Sequence, residues 1–340
     1  MYEQEKVHGF ACSARPSMRA LVRHEYGPSS GLRLEEVAAP RAGAGEVLVA
    51  VRAAGLDRGT WHVMTGLPLL YRVVGGLRRP RDPILGLDFA GTVIEVGREV
   101  ESFAPGDEVF GFGAGSLAEL AAVPVKKVSH RPPELDPVEA AARPVSATTA
   151  LQAITAAGVS AGHRVLVSGA SGGVGSYAVQ MAVSRGAEVT GIASAAKADF
   201  VRELGAADVV AYDLEDPWSS GRRYDAVLDI AGHPTFRQLQ GMLEAGGTAV
   251  LVGGEGGGRL TGGLERQMIA AARARFGGPW MQMLMNREDP QVLREVAQLA
   301  VRGELSVPIS HRVGLDRAPE AMAALEAGEV RGKAVVTMPS

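Results

Sequence analysis

The run Arg164–Ala182, RVLVSGASGGVGSYAVQMA, constrains this chain more than any other stretch. Val165, Leu166 and Val167 are consecutive β-formers and read as a buried strand, while Val174, Ala178, Met181 and Ala182 share one face of a following helix. Strand, glycine turn, helix is the context in which a dinucleotide fingerprint has physical meaning. Gly172 stands where backbone must approach a pyrophosphate, and Gly175 where the helix must pack closely on the strand. Ala170 takes the first fingerprint position, so the match to G-x-G-x-x-G is imperfect. The free N–H groups and positive end of the helix suit a diphosphate. Ala170, Ser171, Gly172, Gly173, Val174 and Gly175 are therefore the candidate cofactor-binding residues.

A second strand, Glu188–Ala193, is expected to end near Ser194. In an NAD protein a ribose-binding carboxylate is expected about 20 residues past the fingerprint. None lies between Val189 and Ala198; Ser194 and Lys197 stand there instead. A hydroxyl and a cation suit the 2′-phosphate of NADPH, which a carboxylate would repel. The alternative is a plain helix start, with Ser194 as N-cap and Lys197 in solvent. NADPH is the expected cofactor.

A length of 340 residues fits two domains. A net charge of −3 leaves no basic footprint for nucleic acid or an anionic membrane. Cys12 is the only cysteine, which excludes an internal disulfide and points to a reducing, cytoplasmic setting. No apolar run approaches the ~18 residues of a membrane span, and residues 1–17 lack the apolar core of a secretory signal. That segment is expected to be a flexible tail.

From Met18 to about Pro133 the pattern is β-type. Glu46–Ala53 alternates around Val47, Val49 and Val51; Phe89–Val96, Glu108–Phe110 and Gly115–Pro124 supply further strands. Residues 59–79 interrupt with Trp61, Met64, Leu67, Leu69, Leu70 and Tyr71, an excursion long enough to cover a pocket. From Asp136 the rhythm turns to βαβα. A helix begins with Asp136 as N-cap and Pro137 at N1, is interrupted at Pro144, and resumes over Thr148–Ala157. After the fingerprint come helix 196–204, strands Asp208–Tyr212 and Tyr224–Ile230, helix 234–244 and strand Thr248–Val252, the order of a doubly wound parallel sheet. Residues 253–263 contain seven glycines and read as a mobile loop at the carboxyl end of a strand. Helices at 290–302 and 316–327 and a closing strand, Lys333–Thr337, complete the chain.

Four ordered motifs carry a resemblance: Gly86–Gly97 (GLDFAGTVIEVG), Gly106–Gly111 (GDEVFG), the Gly169–Gly175 turn, and Arg331–Thr337 (RGKAVVT). Together they resemble the medium-chain dehydrogenase/reductase superfamily, nearest its zinc-independent quinone oxidoreductase and enoyl-reductase-like branch, over about residues 18–338. The resemblance implies an α/β chain in which a GroES-like β-barrel catalytic domain (18–135 and 290–340) flanks a doubly wound Rossmann domain (136–289). It also implies a homodimer, often built by edge pairing of the Rossmann sheets. Zinc dehydrogenases of the superfamily carry Cys, His-Glu and Cys ligands. The matching positions here are Asp57, Leu87–Asp88, and Val145 or Ser146, and the structural four-cysteine lobe is missing. That donor set does not suit zinc, and the seven histidines show no ligand spacing. No metal is expected.

The family match implies further contacts. Thr149 falls where a threonine meets the nicotinamide carboxamide, with an ordinary helix hydroxyl as the alternative. Tyr212 is placed toward the adenosine phosphate, or is a plain core-edge tyrosine. Ala231, Val252, Gly253 and Gly254 follow the strands over which the dinucleotide runs. Lys333 is placed toward the nicotinamide end, or is a solvated surface lysine. Quinone-reductase relatives commonly hold Asn, near the nicotinamide ribose and substrate, at the position of Asp57. Asp57, Trp61 (a pocket wall or a packing residue) and Thr149 form the candidate catalytic set. Without a metal, the expected reaction is NADPH-dependent hydride transfer to an enone or a quinone, which spreads the incoming charge onto oxygen. Water, protonated Asp57 or His62 would supply the proton. The alternatives are a biosynthetic tailoring enzyme acting on a specialised enone, or retaining its cofactor without net redox, and an NADPH-bound structural or regulatory protein without turnover.

Overall fold

The structure, a computed structural model, describes residues 16–339 except 233, 254–257, 264–268, 270–280 and 285. The chain opens with the antiparallel pair β1 (Ser17–Val22) and β2 (Arg33–Ala38). Residues 1–15 of the expected tail lie outside the described residues. Ser17, expected in that tail, already pairs with Ala38.

A seven-stranded sheet follows, built from both ends of the chain. Its members are β3 (Glu46–Leu56), β4 (Asp88–Val96), β5 (Glu108–Phe112), β6 (Leu120–Pro124), β7 (Val128–His130), β14 (Ile309–Gly314) and β15 (Lys333–Thr337). The order is β14-β15-β3-β4-β5-β7, with β6 on the other flank of β3. Ala334 pairs with Leu56, so the last strand of the chain closes on the longest strand of the N-terminal half. Alternation carries this sheet: Val47, Val49, Phe89, Val109, Val123 and Val336 are buried in one core. The strand expected over Gly115–Pro124 forms only from Leu120. Gly115 sits at φ 77°, in the left-handed region that ends regular pairing.

Between β3 and β4 the excursion folds as α1 (Arg58–Thr65) and the single turn α2 (Arg72–Gly75). α3 (Pro137–Ala141) and α4 (Pro144–Ala156) lead into a second sheet, ordered β10-β9-β8-β11-β12-β13 and parallel throughout. Pro144 starts α4 rather than interrupting it, because a proline at the first helical position gives up only an N–H that had no partner.

The strands are β8 (Arg164–Ser168), β9 (Glu188–Ala193), β10 (Asp208–Ala211), β11 (Tyr224–Asp229), β12 (Leu243–Leu251) and β13 (Met281–Met283), with α5 (Gly173–Ser184) and α6 (Ala198–Glu203) between the first three. The helix expected over 234–244 is only α7 (Phe236–Gly241). Leu243 already pairs with Tyr224, and Gly246 at φ 84° opposes helix continuation. α8 (Pro290–Val301) contributes Val296 to the core beneath α5, and Leu293 and Ala297 to a cluster with Phe110 and Val335 of the first sheet. α9 (Ala318–Glu326) precedes β15.

The fingerprint turn is set by close packing. Gly169 takes the left-handed φ of 66°, while Ala170 is fully buried and donates its N–H to Ile192 O. A Cβ on Gly175 would fall inside contact distance of the Gly169 carbonyl oxygen, whereas one on Gly172 would lie 3.4 Å from it. Gly175→Ala should therefore cost about 1–3 kcal/mol of stability as the helix is pushed off the strand. Gly172→Ala should melt within about a degree of wild type. Paired thermal melts check this; equal loss in the two variants would contradict it.

Candidate active site

α1 begins at Asp57, whose Oδ1 accepts from Thr60 N at 2.8 Å as an N-cap. Its second oxygen, Oδ2, points away from the helix to a buried cluster. Lys333, first residue of β15, is fully buried there, and its Nζ donates to Ser146 Oγ at 2.9 Å. The same Nζ lies 3.8 Å from Asp57 Oδ2 and 3.7 Å from Asp88 Oδ2. Asp88 opens β4 and is fully buried; its Oδ1 accepts from Val145 N at 3.0 Å. Burial, with the Asp57 carboxyl beside it, raises the Asp88 pKa well above the usual carboxylate range. The positions that match zinc ligands in relatives thus converge, but around an ammonium. The reading of Lys333 as a solvated surface residue is overturned: antiparallel pairing of β15 with β3 aims it inward. Among the described residues no group of three or more His, Cys, Asp or Glu could hold a metal ion.

The fingerprint lies directly against this cluster. Gly332 N donates to Ser171 O at 2.9 Å, and a Cβ on Gly173 would sit 2.9 Å from Ser146 Oγ and 3.2 Å from Lys333 Cδ. The N–H groups of Gly173, Val174 and Gly175 occupy the first turn of α5, where no intrahelical carbonyl reaches. Free N–H groups at a helix N-terminus are donors of the kind that can receive an anion. Thr149 lies one turn into α4 and donates its hydroxyl to Val145 O at 2.6 Å, which leaves its oxygen only as an acceptor for a ligand.

The strand ends are strongly braced. Ile230 and Ala231 donate their N–H groups to Ser168 Oγ, and Val252 and Gly253 donate theirs to Asp229 O. Those N–H groups are therefore already engaged within the chain. Gly254 lies outside the described residues. So do residues 255–257 of the glycine run expected to be mobile, whereas residues 258–263 are placed. Arg259 O and Leu260 O accept from Leu69 N and Leu70 N at 2.9 and 3.1 Å, linking the excursion after α1 to the end of the parallel sheet.

Two expectations change. Lys197 does not stand free in solvent: its Nζ donates to Gly328 O at 2.6 Å and Val330 O at 2.8 Å, the carbonyls beyond α9. Burial, and then the charge of neighbouring Arg331, lower its pKa. Ser194 makes no side-chain cap bond. A carboxylate does enter this region from the next strand end, since Asp213 Oδ1 accepts from Ala195 N at 2.8 Å. Tyr212 is 59 % exposed, so the core-edge reading fails for it. Trp61 is turned toward α9, its Nε1 donating to Glu326 Oε1 at 3.1 Å, with the Arg58 guanidinium 4.3 Å from its ring centroid. His62 Nδ1 lies 2.7 Å from Leu67 O. Asp88 and Ser146 enter the sequence analysis only at zinc-ligand positions, and Arg331 only as the first residue of a motif. Loss of all ligands at once, with Lys333 beside the last strand, was the signal available for the cluster.

Sequence comparison places the chain with known proteins. Residues 43–133 match the alcohol dehydrogenase GroES-like domain, and residues 204–336 the family described as zinc-binding dehydrogenase. A chloroplastic quinone-oxidoreductase, QR1, from Triphysaria versicolor is 31 % identical over 338 residues, covering 94 % of this chain and 98 % of the relative. The quinone oxidoreductase structure from Coxiella burnetii superposes with a TM-score of 0.82 at 27 % identity, over 95 % of this chain and 100 % of that one. A mycobacterial structure complexed with NADPH gives 0.78 at 25 %, over 94 % and 100 %. The chain belongs to the medium-chain dehydrogenase/reductase superfamily, in its quinone oxidoreductase-like branch. Its two sheets are the GroES-like and Rossmann folds of that superfamily.

A raised Asp88 pKa means that the folded state binds this proton more tightly than the unfolded chain does. Its contribution to stability is greatest below the unfolded carboxylate pKa of about 4 and declines as pH rises toward the folded value, by up to about 1.4 kcal/mol per pH unit. Asp88→Asn, which keeps an acceptor for Val145 N, should remove this decline. Melts at pH 5 and pH 8 should show a smaller drop in Tm for the variant; an equal drop would contradict the assignment.

Proposed function

We propose that this protein is a metal-independent oxidoreductase that uses a reduced nicotinamide dinucleotide, preferably NADPH, to reduce an enone or a quinone. The observation that carries the reading is the Lys333 ammonium among Asp57, Asp88 and Ser146, against the fingerprint. A buried cation at the ligand positions of the zinc relatives repels a metal, and the donor set lacks Cys and His. The first-turn N–H groups of α5 would hold the pyrophosphate, with Ala170 and Ser171 shaping the turn. Ala231, Val252 and Gly253 would line the run of the dinucleotide, and Thr149 its nicotinamide end. Ser194, Lys197, Arg331 and exposed Tyr212 would receive the 2′-phosphate. Two neighbouring cations there favour an anion.

When bound, the reduced nicotinamide supplies the hydride. The chain orients the acceptor, excludes water and balances the charge that arrives on the substrate oxygen. Asp57, 7 % exposed, would border the substrate, and Trp61 would brace α1 behind it. The protein would act as a cytoplasmic homodimer paired through the edge strand β13, without a membrane or nucleic-acid partner. No helix among the described residues is long and apolar enough to cross a membrane.

Product analysis with NADPH and a panel of enones, quinones, aldehydes and simple ketones tests the reading. Conjugated acceptors should turn over without added metal. Asp57→Asn should change turnover or substrate preference while the thermal melt stays within about 1 kcal/mol of wild type. Reduction of simple ketones alone, or NADPH binding with no turnover, would overturn the reading. NADPH should bind at least about tenfold tighter than NADH, a difference of about 1.4 kcal/mol. Arg331→Ala should narrow that gap, and equal affinities in wild type would contradict the preference.

A further inference from the structure

Asp57 follows β3 and Asp88 opens β4, adjacent antiparallel strands that bring the two carboxyls to one point. Each gives one oxygen to a backbone donor, Asp57 Oδ1 to Thr60 N and Asp88 Oδ1 to Val145 N. The two remaining oxygens are buried, and among the described residues neither receives a hydrogen bond from a donor group. Yet both face the same Lys333 Nζ, at 3.8 Å from Asp57 Oδ2 and 3.7 Å from Asp88 Oδ2.

Two buried acceptors without a hydrogen bond are costly, and the ammonium that faces both stands beyond hydrogen-bonding distance of either. Two carboxylates against one ammonium would also leave a net negative charge in an enclosed site. A single proton between the two Oδ2 atoms resolves both problems. The surrounding groups do not supply it. Ser146 Oγ accepts from Lys333 and its hydroxyl makes no bond to either Oδ2, and the Tyr177 hydroxyl donates to Ala142 O at 3.2 Å. Beyond Tyr177, Arg143 turns to Glu139. Asp57 is the member of the pair with any exposure.

Resting on the reductase reading, we infer that Asp57 and Asp88 share one proton, that Asp88 stores it, and that Asp57 delivers it to the reduced substrate. The bound reduced nicotinamide would supply hydride to the β-carbon of an enone and end oxidised, with the C=C π pair moving to the carbonyl oxygen as an enolate. The shared proton then forms the second bond, at the α-carbon or the oxygen. This leaves two carboxylates beside Lys333, and solvent restores the proton through Asp57. Asp57 is the catalytic residue in this scheme, and Asp88 positions the proton through it.

Infrared spectroscopy of the cofactor-free protein at neutral pH reads the proton directly. Wild type should show a protonated-carboxyl stretch that shifts in D2O, and Asp88→Asn should lack it. A wild-type spectrum without that band overturns the inference whether or not the protein is a reductase. A band that survives in folded Asp88→Asn overturns it as well. If Asp88→Asn does not fold, loss of the same band in Asp57→Asn supports the shared proton and its persistence unchanged refutes it. In turnover, wild-type kcat should fall at alkaline pH as the shared proton is lost, and folded Asp88→Asn should lose at least about tenfold in kcat, with a smaller change in substrate KM and no such fall. Wild-type kcat and pH profile in that variant would overturn the delivery step. Absence of turnover in wild type itself would instead strike the reductase reading, with the infrared band still deciding the shared proton.

Discussion

The contact between Lys333 and Ser146, enclosed by Asp57 and Asp88, is the interaction on which the rest of the site depends. It joins four elements that are distant in sequence: the end of β3, the start of β4, the start of α4 and the first residue of β15. An ammonium with no exposed surface is tolerable only where several oxygens surround it, because desolvation of an unpaired charge would exceed what packing returns. The C-terminal strand therefore cannot slide or detach without stranding a charge.

This junction also ties the two sheets together where a cofactor would lie. Ser171 of the fingerprint turn accepts from Gly332, one residue before the lysine. Gly173 has no room for a side chain against Ser146 and Lys333. Glycine at that position lets the first turn of α5 pack against the Lys333 cluster. Further out, Lys197 binds the carbonyls of Gly328 and Val330, and Leu69 and Leu70 meet Arg259 and Leu260, so the Rossmann and barrel halves touch on both sides of the site.

Much of the fold was legible in the sequence, because it rests on local periodicity. β9 and β15 match their expected spans residue for residue, and Asp136 caps α3 as expected. The errors fall where neighbouring structure outweighs local pattern. Pairing of Leu243 with Tyr224 shortens α7, and Pro144 begins a helix it was expected to interrupt. The fingerprint was readable because strand, turn and helix are contiguous. The cluster was not, because Asp57, Asp88, Ser146 and Lys333 meet only through strand pairing across the whole chain. Lys197 misled for a similar reason: nothing local reveals that carbonyls 131 and 133 residues away receive its ammonium.

The central claim is that Lys333 stands where zinc relatives hold their metal. Crystallography of the protein grown with zinc, with anomalous scattering recorded at the zinc edge, tests it most directly. The account predicts no anomalous peak between Asp57 and Asp88, and the Lys333 ammonium within hydrogen-bonding distance of Ser146. A zinc peak bound by those carboxylates, with Lys333 turned away, would contradict it.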